Sequence, residues 1–274
     1  MSADQQVTVG RRSLRMRVRP GTGTGPPLVL ANGIGTPLEV LDPFVDALDP
    51  SIEVVRFDAP GVGGSPTPPF PYPYQVVAHL LGAALNELGY GAVDMLGISW
   101  GGGLAQQFAF QNPVRCRRLV LVATATGSLM IPGRPQVLRH MLTPRRHQDP
   151  VYARRVAGAI YGGAMRDQDT TSPLQARAQG GSSRGYAYQL LGTAGWTSLP
   201  YLPLIRQPTL LIAGDDDPIV PIANARLMAR LLPNARLVTY ADGHLGLLTR
   251  ADELAPVVAE FCGAPGRRGA EVSS

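Results

Sequence analysis

Short apolar runs alternate with helix-length stretches along most of the chain. The apolar runs have the length and composition of buried strands, and the stretches between them carry a helical pattern. The runs cover residues 26–32, 52–58, 93–98, 118–124, 208–214 and 235–241, and the helical stretches include residues 75–88, 99–111 and 222–232. Continuous apolar strands separated by helices are typical of a parallel sheet covered by helices on both faces. The pattern predicts an α/β fold, which begins with an antiparallel strand where polar and apolar residues alternate between Arg11 and Val18.

One long interval breaks this alternation. From Gly127 to Ile205 no strand pattern appears, and the sequence is rich in Gly, Pro, Arg and aromatic residues. A compact domain rarely carries a structureless loop of this length, so we expect a helical cap over the ends of the strands. The predicted organisation is a core of residues 1–126 and 206–262, a cap of residues 127–205 and a disordered tail of residues 263–274.

Composition narrows the classes of function. The 274 residues carry a formal net charge of +5, but every basic residue is an arginine and the arginines are scattered. Arg15, Arg17 and Arg19 alternate with apolar residues, as on the solvated face of a half-buried strand. No basic stripe is interleaved with aromatic residues, which argues against nucleic-acid binding.

Targeting signals and cysteine usage predict a cytoplasmic protein. No apolar stretch reaches the roughly 18 to 20 residues that a membrane span needs. The polar first segment lacks the apolar centre of a signal peptide. Cys116 and Cys262 are far apart and have neither metal-binding nor redox spacing, so two reduced thiols are expected.

A serine lies between glycines directly after one of the buried runs. Gly97-Ile98-Ser99-Trp100-Gly101 fits the pattern G-x-S-x-G, with a predicted strand before it and a predicted helix after it. A tight strand-to-helix turn exposes the hydroxyl, and flanking glycines allow the neighbouring backbone to approach. The amides at the helix start favour the negative charge that develops during acyl transfer. The stretch therefore predicts that Ser99 is a nucleophile.

A serine hydroxyl needs a base, and the chain has only four histidines. His79 lies in a predicted helix, where a surface or packing role is expected. His140 and His147 lie among arginines in the predicted cap, and we interpret both as solvent-facing. His244 follows the last strand in "YADGHLGLL", where a loop reaches the carboxyl edge of the sheet. His244 is therefore the predicted base.

The acidic partner of the base is expected at the end of the preceding strand. The stretch "AGDDDPIVP" offers Asp215, Asp216 and Asp217, and similarity to a common G-x-x-D-x-x-x-P loop favours Asp217. Turn and capping roles are expected for the first two, and Asp242 is interpreted as a loop residue near the histidine. The order serine, aspartate, histidine is the one expected of an α/β-hydrolase.

The stretch "NGIG" at residues 32–35 follows the first predicted parallel strand. Its glycines allow the backbone to fold over the sheet edge, so the amides of Ile34 and Trp100 are the predicted oxyanion donors. Asn32 is expected to brace this loop. The glycine-rich residues 61–65 lack the lysine and the spacing of a phosphate-binding loop, and no His, Cys and carboxylate cluster suggests a metal, so no cofactor is expected.

The chain resembles the intracellular medium-chain-length poly(3-hydroxyalkanoate) depolymerases of the α/β-hydrolase superfamily. The resemblance covers nearly the whole chain, through "NGIG", "FDAPGVGGS", "GISWGGGLAQQFA", "GDDDP" and "DGHL", and in the cap through "PGRPQVL", "TPRR", "IYGG" and "GWTSL". It implies a serine hydrolase that cleaves a stored polyester to 3-hydroxy acids, with Ser99, Asp217 and His244 as the triad. Gly246 departs from the family, where a bulkier apolar residue is expected.

Two other hypotheses remain open at the level of sequence. The same triad would serve a small-molecule carboxylesterase or thioesterase. A non-catalytic ligand-binding or granule-binding protein would keep the fold without using Ser99. For the depolymerase, the resemblance implies a hydrophobic polyester as substrate and an association with storage granules in the cytoplasm.

Overall fold

The structure, a computed structural model, describes residues 4–167, 169 and 182–263. Eight strands form one sheet in the order β1-β2-β4-β3-β5-β6-β7-β8. The strands are β1 Asp4–Val9, β2 Arg12–Arg19, β3 Leu28–Ala31, β4 Val54–Phe57, β5 Val93–Ile98, β6 Cys116–Val122, β7 Thr209–Gly214 and β8 Ala235–Tyr240. Strand β2 pairs antiparallel with both β1 and β4, and strands β3 to β8 pair in parallel. The predicted α/β fold with an antiparallel start is confirmed.

Ten α-helices of the described residues surround this sheet. They are α1 Asp42–Ala47, α2 Tyr74–Glu87, α3 Trp100–Gln111, α4 Pro135–Met141, α5 Arg145–Gln148, α6 Pro150–Tyr161, α7 Ser183–Thr193, α8 Ala223–Leu231, α9 Gly246–Thr249 and α10 Ala251–Cys262. Short 3-10 helices span Leu38–Leu41, Gly163–Arg166 and Leu202–Leu204. None of the helices described is long and apolar enough to cross a membrane.

The core consists of two apolar layers, one on each face of the sheet. Alternate residues of a strand point to opposite faces. Along β3, Val29 belongs to one layer and Leu28 and Leu30 to the other, and β6 divides in the same way. Helices α2 and α3 contribute to the first layer, and α1 and α10 contribute to the second. Because both faces are buried, the strands are continuously apolar, which is the pattern seen in the sequence.

The arginines of β2 are not a freely solvated face. Arg15 and Arg17 are half-buried and form ion pairs with Asp4 and Glu39. Arg19 donates instead to backbone carbonyls, including that of Ile52 at 2.7 Å. Hydrogen bonding to Arg17 lowers the pKa of the Asp4 carboxyl to about 2. These pairs tie the first two strands to the body of the protein.

The interval between β6 and β7 is helical where it is described. It contains α4 to α7, and a β-bridge joins Gly127 to Thr197. A small separate apolar cluster joins Val137 and Ile160 of this interval to Ile219. The domain boundaries at residues 127 and 205 stay a prediction. Gly263 ends α10 in the left-handed conformation (φ 82°), and the rest of the predicted tail lies outside the described residues.

Candidate active site

Ser99 occupies the turn between β5 and α3. Its backbone has φ 54° and ψ −118°, a region that residues with a side chain rarely adopt. The turn is fixed by hydrogen bonds: the amide of Ser99 donates to the carbonyl of Val122 at 2.9 Å. The carbonyl of Ser99 accepts from the Thr124 hydroxyl at 2.7 Å and from the Gly102 amide at 2.9 Å. The tight, strained turn that the motif predicts is present.

The two glycines of the motif are there because the backbones around the turn nearly touch. A Cβ atom at Gly97 would lie 2.2 Å from the carbonyl oxygen of Gly101. A Cβ atom at Gly101 would lie 2.1 Å from the carbonyl oxygen of Ala31 in β3. Both distances are far inside van der Waals contact, so a side chain at either position would push Ser99 out of its turn.

His244 and Asp217 form a buried pair at the ends of β8 and β7. The Nδ1 atom of His244 lies 2.7 Å from Oδ2 of Asp217, and both side chains are almost fully buried. The other carboxylate oxygen, Oδ1, accepts from the amides of Ile219 and Val220 at 2.9 Å each. The carboxylate therefore has a fixed orientation, and it accepts the Nδ1 proton of the imidazole. That leaves Nε2 as the acceptor for a hydroxyl proton.

Ser99, His244 and Ile34 line one cavity of about 40 Å³. Three loops that are distant in sequence meet there, because the carboxyl ends of parallel strands share one edge of the sheet. A second cavity, of about 50 Å³, shares Arg146, His147 and other residues with the first. The structure thus brings the predicted nucleophile, base and one of the oxyanion donors to the same place.

His244 is held by the interval between β6 and β7 as well as by the sheet. The backbone amide of His244 donates to the carbonyl of Tyr161 at 2.7 Å, at the last residue of α6. The two rings stack with centroids 6.4 Å apart and planes 18° apart. Gly162 and Gly163 then turn the chain with φ 69° and 46°. A Cβ atom at Gly163 would lie 1.7 Å from Oδ1 of Asp242, so this turn fits only glycine.

Two further aspartates near the pair, Asp216 and Asp242, have bracing roles. Asp216 forms an ion pair with Arg166 and accepts from the amide of Gly163 at 2.8 Å. The hydrogen bonds from Arg166 and then Gly163 lower the pKa of the Asp216 carboxyl. Asp242 accepts from the Ala164 amide at 2.7 Å and the Thr249 hydroxyl at 2.6 Å. Asp242 is thus a loop residue near the histidine, as expected.

The loop of residues 32–35, which carries the predicted donor Ile34, is braced and lies beside Ser99. Asn32 braces it: Oδ1 accepts from the Gly33 amide at 2.8 Å and Nδ2 donates to the Pro37 carbonyl at 2.7 Å. A Cβ atom at Gly33 would lie 3.9 Å from Cβ of Ser99, so the loop passes beside the serine. Trp100 is the first residue of α3, and amides of a first helical turn have no acceptor within their helix.

Ser99 also lines a larger cavity, of about 180 Å³. Its walls include Trp100, Trp196 and Thr124. The Trp100 ring packs against Tyr74 with centroids 4.9 Å apart, and its Nε1 atom is buried without an acceptor among the described residues. Ser99 therefore lines both cavities, of which only the smaller is also lined by His244.

Two of the histidines are not where the sequence placed them. His147 is 6% exposed, so the prediction that it faces solvent is wrong. It packs against the Tyr186 ring of α7 and lines the cavity of Ser99. His140 is half-buried, and its Nδ1 atom lies 2.6 Å from the Tyr152 hydroxyl, so it does not face solvent freely either. His79 is exposed on α2, as predicted.

Tyr240 explains why Gly246 departs from the expected bulkier residue. A Cβ atom at Gly246 would lie 2.0 Å from Cε2 of Tyr240. The Tyr240 ring is buried and its hydroxyl donates to the carbonyl of Gly243 at 3.1 Å. Burial, with the nearby charge of Asp217, raises the pKa of this hydroxyl well above its ordinary value. The space that a larger side chain would fill is taken by a tyrosine from β8.

Among the described residues, no group of three or more His, Cys, Asp or Glu side chains is arranged to hold a metal ion. A buried carboxylate and imidazole next to a serine at a helix start suit nucleophilic acyl transfer.

Comparison with proteins of known sequence identifies the family of the chain and relatives of it. A family model described as the alpha/beta hydrolase fold matches residues 26–251. A poly(3-hydroxyalkanoate) depolymerase from Ectopseudomonas oleovorans is 48% identical over 256 residues, which are 93% of this chain and 90% of that protein.

Solved structures show the same architecture. A hydrolase from Pseudomonas aeruginosa PA01 matches with a TM-score of 0.80 and 27% identity, covering 96% of this chain and 98% of that one. The enol-lactonase from Burkholderia xenovorans LB400 matches with a TM-score of 0.80 and 25% identity, covering 94% of this chain and 99% of that one.

Proposed function

The chain belongs to the alpha/beta hydrolase family, and on this premise we propose that it is a serine hydrolase that cleaves medium-chain-length poly(3-hydroxyalkanoate) to 3-hydroxy acids. One observation carries the proposal: the strained Ser99 lines one cavity with His244, whose imidazole is paired with the buried Asp217. The 48% identity to a poly(3-hydroxyalkanoate) depolymerase over most of both chains supports the choice of substrate.

The first half of the reaction forms an acyl-enzyme. His244 takes the hydroxyl proton of Ser99, whose oxygen attacks the ester carbonyl, and the amides of Ile34 and Trp100 donate to the oxyanion. Asp217 stabilises the imidazolium and keeps its Nδ1 proton in place. As the tetrahedral intermediate collapses, the C–O bond to the alcohol breaks and His244 gives the alkoxide its proton.

The second half releases the acid. His244 takes a proton from water, the hydroxide attacks the acyl carbonyl, and the same two amides donate to the second oxyanion. Collapse of this intermediate breaks the bond to Ser99, which recovers its proton from His244.

We assign residues 127–205 to a cap that covers the site. Support comes from close contacts between this interval and the loops of the core. A Cβ atom at Gly185 would lie 2.0 Å from the carbonyl oxygen of Gly61, and one at Gly162 would lie 2.1 Å from the carbonyl oxygen of Asp216. In the cell, the proposed place of action is the surface of cytoplasmic storage granules, where a water-insoluble polyester is accessible.

The test is hydrolysis of emulsified medium-chain-length polymer by the whole protein. We expect release of 3-hydroxy acids by the wild type and a loss of at least about 1,000-fold in Ser99→Ala. A serine-directed phosphonate should label the wild type and not the variant. Absence of labelling in the wild type, with biological activity intact in Ser99→Ala, would favour a non-catalytic binding protein.

A small-molecule carboxylesterase is the second candidate, and the small volume of the cavity at His244 favours it. Fast hydrolysis of short p-nitrophenyl or thiol esters by a protein that leaves the polymer intact would overturn the depolymerase in favour of this esterase or thioesterase activity.

A further inference from the structure

Arg146 is a buried cation in the wall of the proposed catalytic cavity. It belongs to the short helix α5, is 7% exposed, and lines the same cavity as Ser99 and His244. An arginine is charged at every physiological pH, and removing that charge from water is costly unless an anion or good hydrogen bonds compensate it.

The guanidinium is held in place by neutral groups. Its Nε donates to the Tyr161 hydroxyl at 3.1 Å, and its Nη1 donates to the Tyr186 hydroxyl at 2.8 Å. Nη1 also lies 3.4 Å from the carbonyls of His140 and Thr143. The Tyr186 ring packs on the guanidinium, with its centroid 5.2 Å from Cζ. The side chain is therefore oriented by its surroundings.

No anion balances this charge in the part of the chain that the structure describes. No described Asp or Glu side chain forms an ion pair with Arg146, and no described residue accepts a hydrogen bond from its Nη2 atom. The neighbouring Arg145, by contrast, is largely exposed and pairs with Asp149 at 3.3 Å. The Nη2 atom of Arg146 therefore keeps its N–H donors for an anion, and a carboxylate oxygen is an acceptor that a buried guanidinium binds strongly.

The cavity of Arg146 is on the leaving-group side of Ser99. His244 gives its proton to the departing alcohol, and His244 lines this cavity but not the larger one beyond Trp100. The alcohol that leaves therefore departs into the space that Arg146 lines. In a 3-hydroxyalkanoate polyester, the unit at the acid end carries its free carboxylate two carbons from the oxygen that leaves.

We propose that Arg146 binds the carboxylate of the departing unit, so that the enzyme cleaves from the acid end of the chain and releases 3-hydroxy acids in turn. This inference rests on the proposed function. A bound carboxylate also cancels the positive charge that would oppose formation of the imidazolium on His244 in the same cavity. Arg146 is thus a specificity-determining residue whose effect reaches kcat as well as KM.

A pair of matched dimers tests the proposal. One is the ester-linked dimer of 3-hydroxyoctanoate with a free carboxylate, and the other is its methyl ester. We expect the wild type to hydrolyse the acid with a kcat/KM at least about tenfold above that of the methyl ester. In Arg146→Met this ratio should fall to about one, and in Arg146→Lys it should be intermediate, because the charge remains without the planar fork.

The ratio is a safe readout because a general loss of folded enzyme affects both dimers alike. Arg145→Met is the matched control, the same substitution at the adjacent exposed arginine, and it should keep the wild-type ratio. Free 3-hydroxyoctanoate should inhibit hydrolysis of a neutral p-nitrophenyl ester competitively, with a Ki about tenfold higher in Arg146→Met.

The outcomes separate the two levels of inference. Equal hydrolysis of both dimers by the wild type, or an unchanged ratio in Arg146→Met, overturns the carboxylate site and leaves the depolymerase intact. If the wild type hydrolyses neither the two dimers nor the polymer, the proposed function is overturned, and the carboxylate site with it.

Discussion

The amide of His244 donates to the carbonyl of Tyr161 at 2.7 Å, which links the proposed base to the end of helix α6. The base thus depends on two supports from different parts of the chain. Asp217 orients the imidazole from strand β7, and Tyr161 fixes the backbone from the interval between β6 and β7.

The Asp217 carboxylate should be essential for the rate and not for the fold. In Asp217→Asn the amide no longer favours the Nδ1 proton, so the imidazole presents the wrong tautomer to Ser99. We expect kcat on p-nitrophenyl octanoate to fall by about 1,000- to 10,000-fold, with an unchanged circular dichroism spectrum. Asp215→Asn, at the exposed neighbour, should keep wild-type activity. A loss below about tenfold in Asp217→Asn would remove Asp217 from the triad.

The glycine turn after Tyr161 should be needed for the position of the base. In Gly163→Ala the new Cβ would overlap Oδ1 of Asp242 at 1.7 Å, so the turn must shift and the Tyr161 carbonyl with it. A displacement of about 1 Å at a catalytic group lowers kcat/KM by about 100-fold.

Gly195→Ala is the control for that substitution. Gly195 has a similar positive φ of 78°, but no atom lies within 4 Å of an added Cβ. The control isolates backbone strain from the clash and should keep its activity. An equal loss of kcat/KM in both variants would show that backbone strain, and not the clash with Asp242, lowers the activity.

Gly246 and Tyr240 should behave as a coupled pair. Gly246→Ala places a Cβ 2.0 Å from the Tyr240 ring, and we expect a loss of about 1–3 kcal/mol in the free energy of unfolding. In the double variant with Tyr240→Leu the loss should be smaller than the sum of the single losses. Urea denaturation measures all three, and Gly91→Ala, in open space, should stay within about 0.5 kcal/mol of wild type. Additive losses would mean that the two positions are independent.

The Asp216–Arg166 pair should stabilise the protein in a pH-dependent way. The pKa of Asp216 is lowered in the folded protein, chiefly by Arg166, so the unfolded chain binds its proton first as the pH falls. Its contribution is complete above the ordinary value of 3.8 and is lost as the pH falls through the lowered pKa.

Thermal unfolding of Asp216→Asn measures that contribution. At pH 7 its Tm should lie about 1–3 °C below that of wild type, because an exposed pair is partly screened by solvent. Near pH 3 the difference should shrink. Asp215→Asn is the control and should keep a Tm close to that of wild type at pH 7, since Asp215 forms no ion pair with any described residue. If the difference in Tm persisted at low pH, the loss of stability would come from altered packing and not from the ion pair.

Most of the sheet could be predicted because burial on both faces makes each strand a continuous apolar run. The candidate site followed from those strands, since Ser99, Asp217 and His244 each stand at a strand end. The choice among histidines was narrow, with only four in the chain. The resemblance to the poly(3-hydroxyalkanoate) depolymerases is confirmed by the relative that is 48% identical. The catalytic roles of the named residues stay predictions.

The parts that sequence reasoning missed arise from contacts between distant segments. "RRHQ" at residues 145–148 is strongly polar, which favours an exposed turn, yet Arg146 and His147 are buried beneath Tyr186 of α7. The Tyr161 carbonyl gave no signal at all, because every residue type carries the same backbone oxygen. Gly246 looked anomalous when considered alone, and only its contact with Tyr240 accounts for it.

The positive φ of Ser99 implies that the residue needed for activity at this position is not the one that gives the highest stability. A residue with a side chain in this region costs roughly 1–3 kcal/mol, which the surrounding hydrogen bonds must outweigh. Glycine adopts the same backbone angles without that strain. Ser99→Gly should therefore unfold at a higher temperature than the wild type while losing its nucleophile. The protein is therefore less stable than it could be, because the strained turn is what exposes the Ser99 hydroxyl.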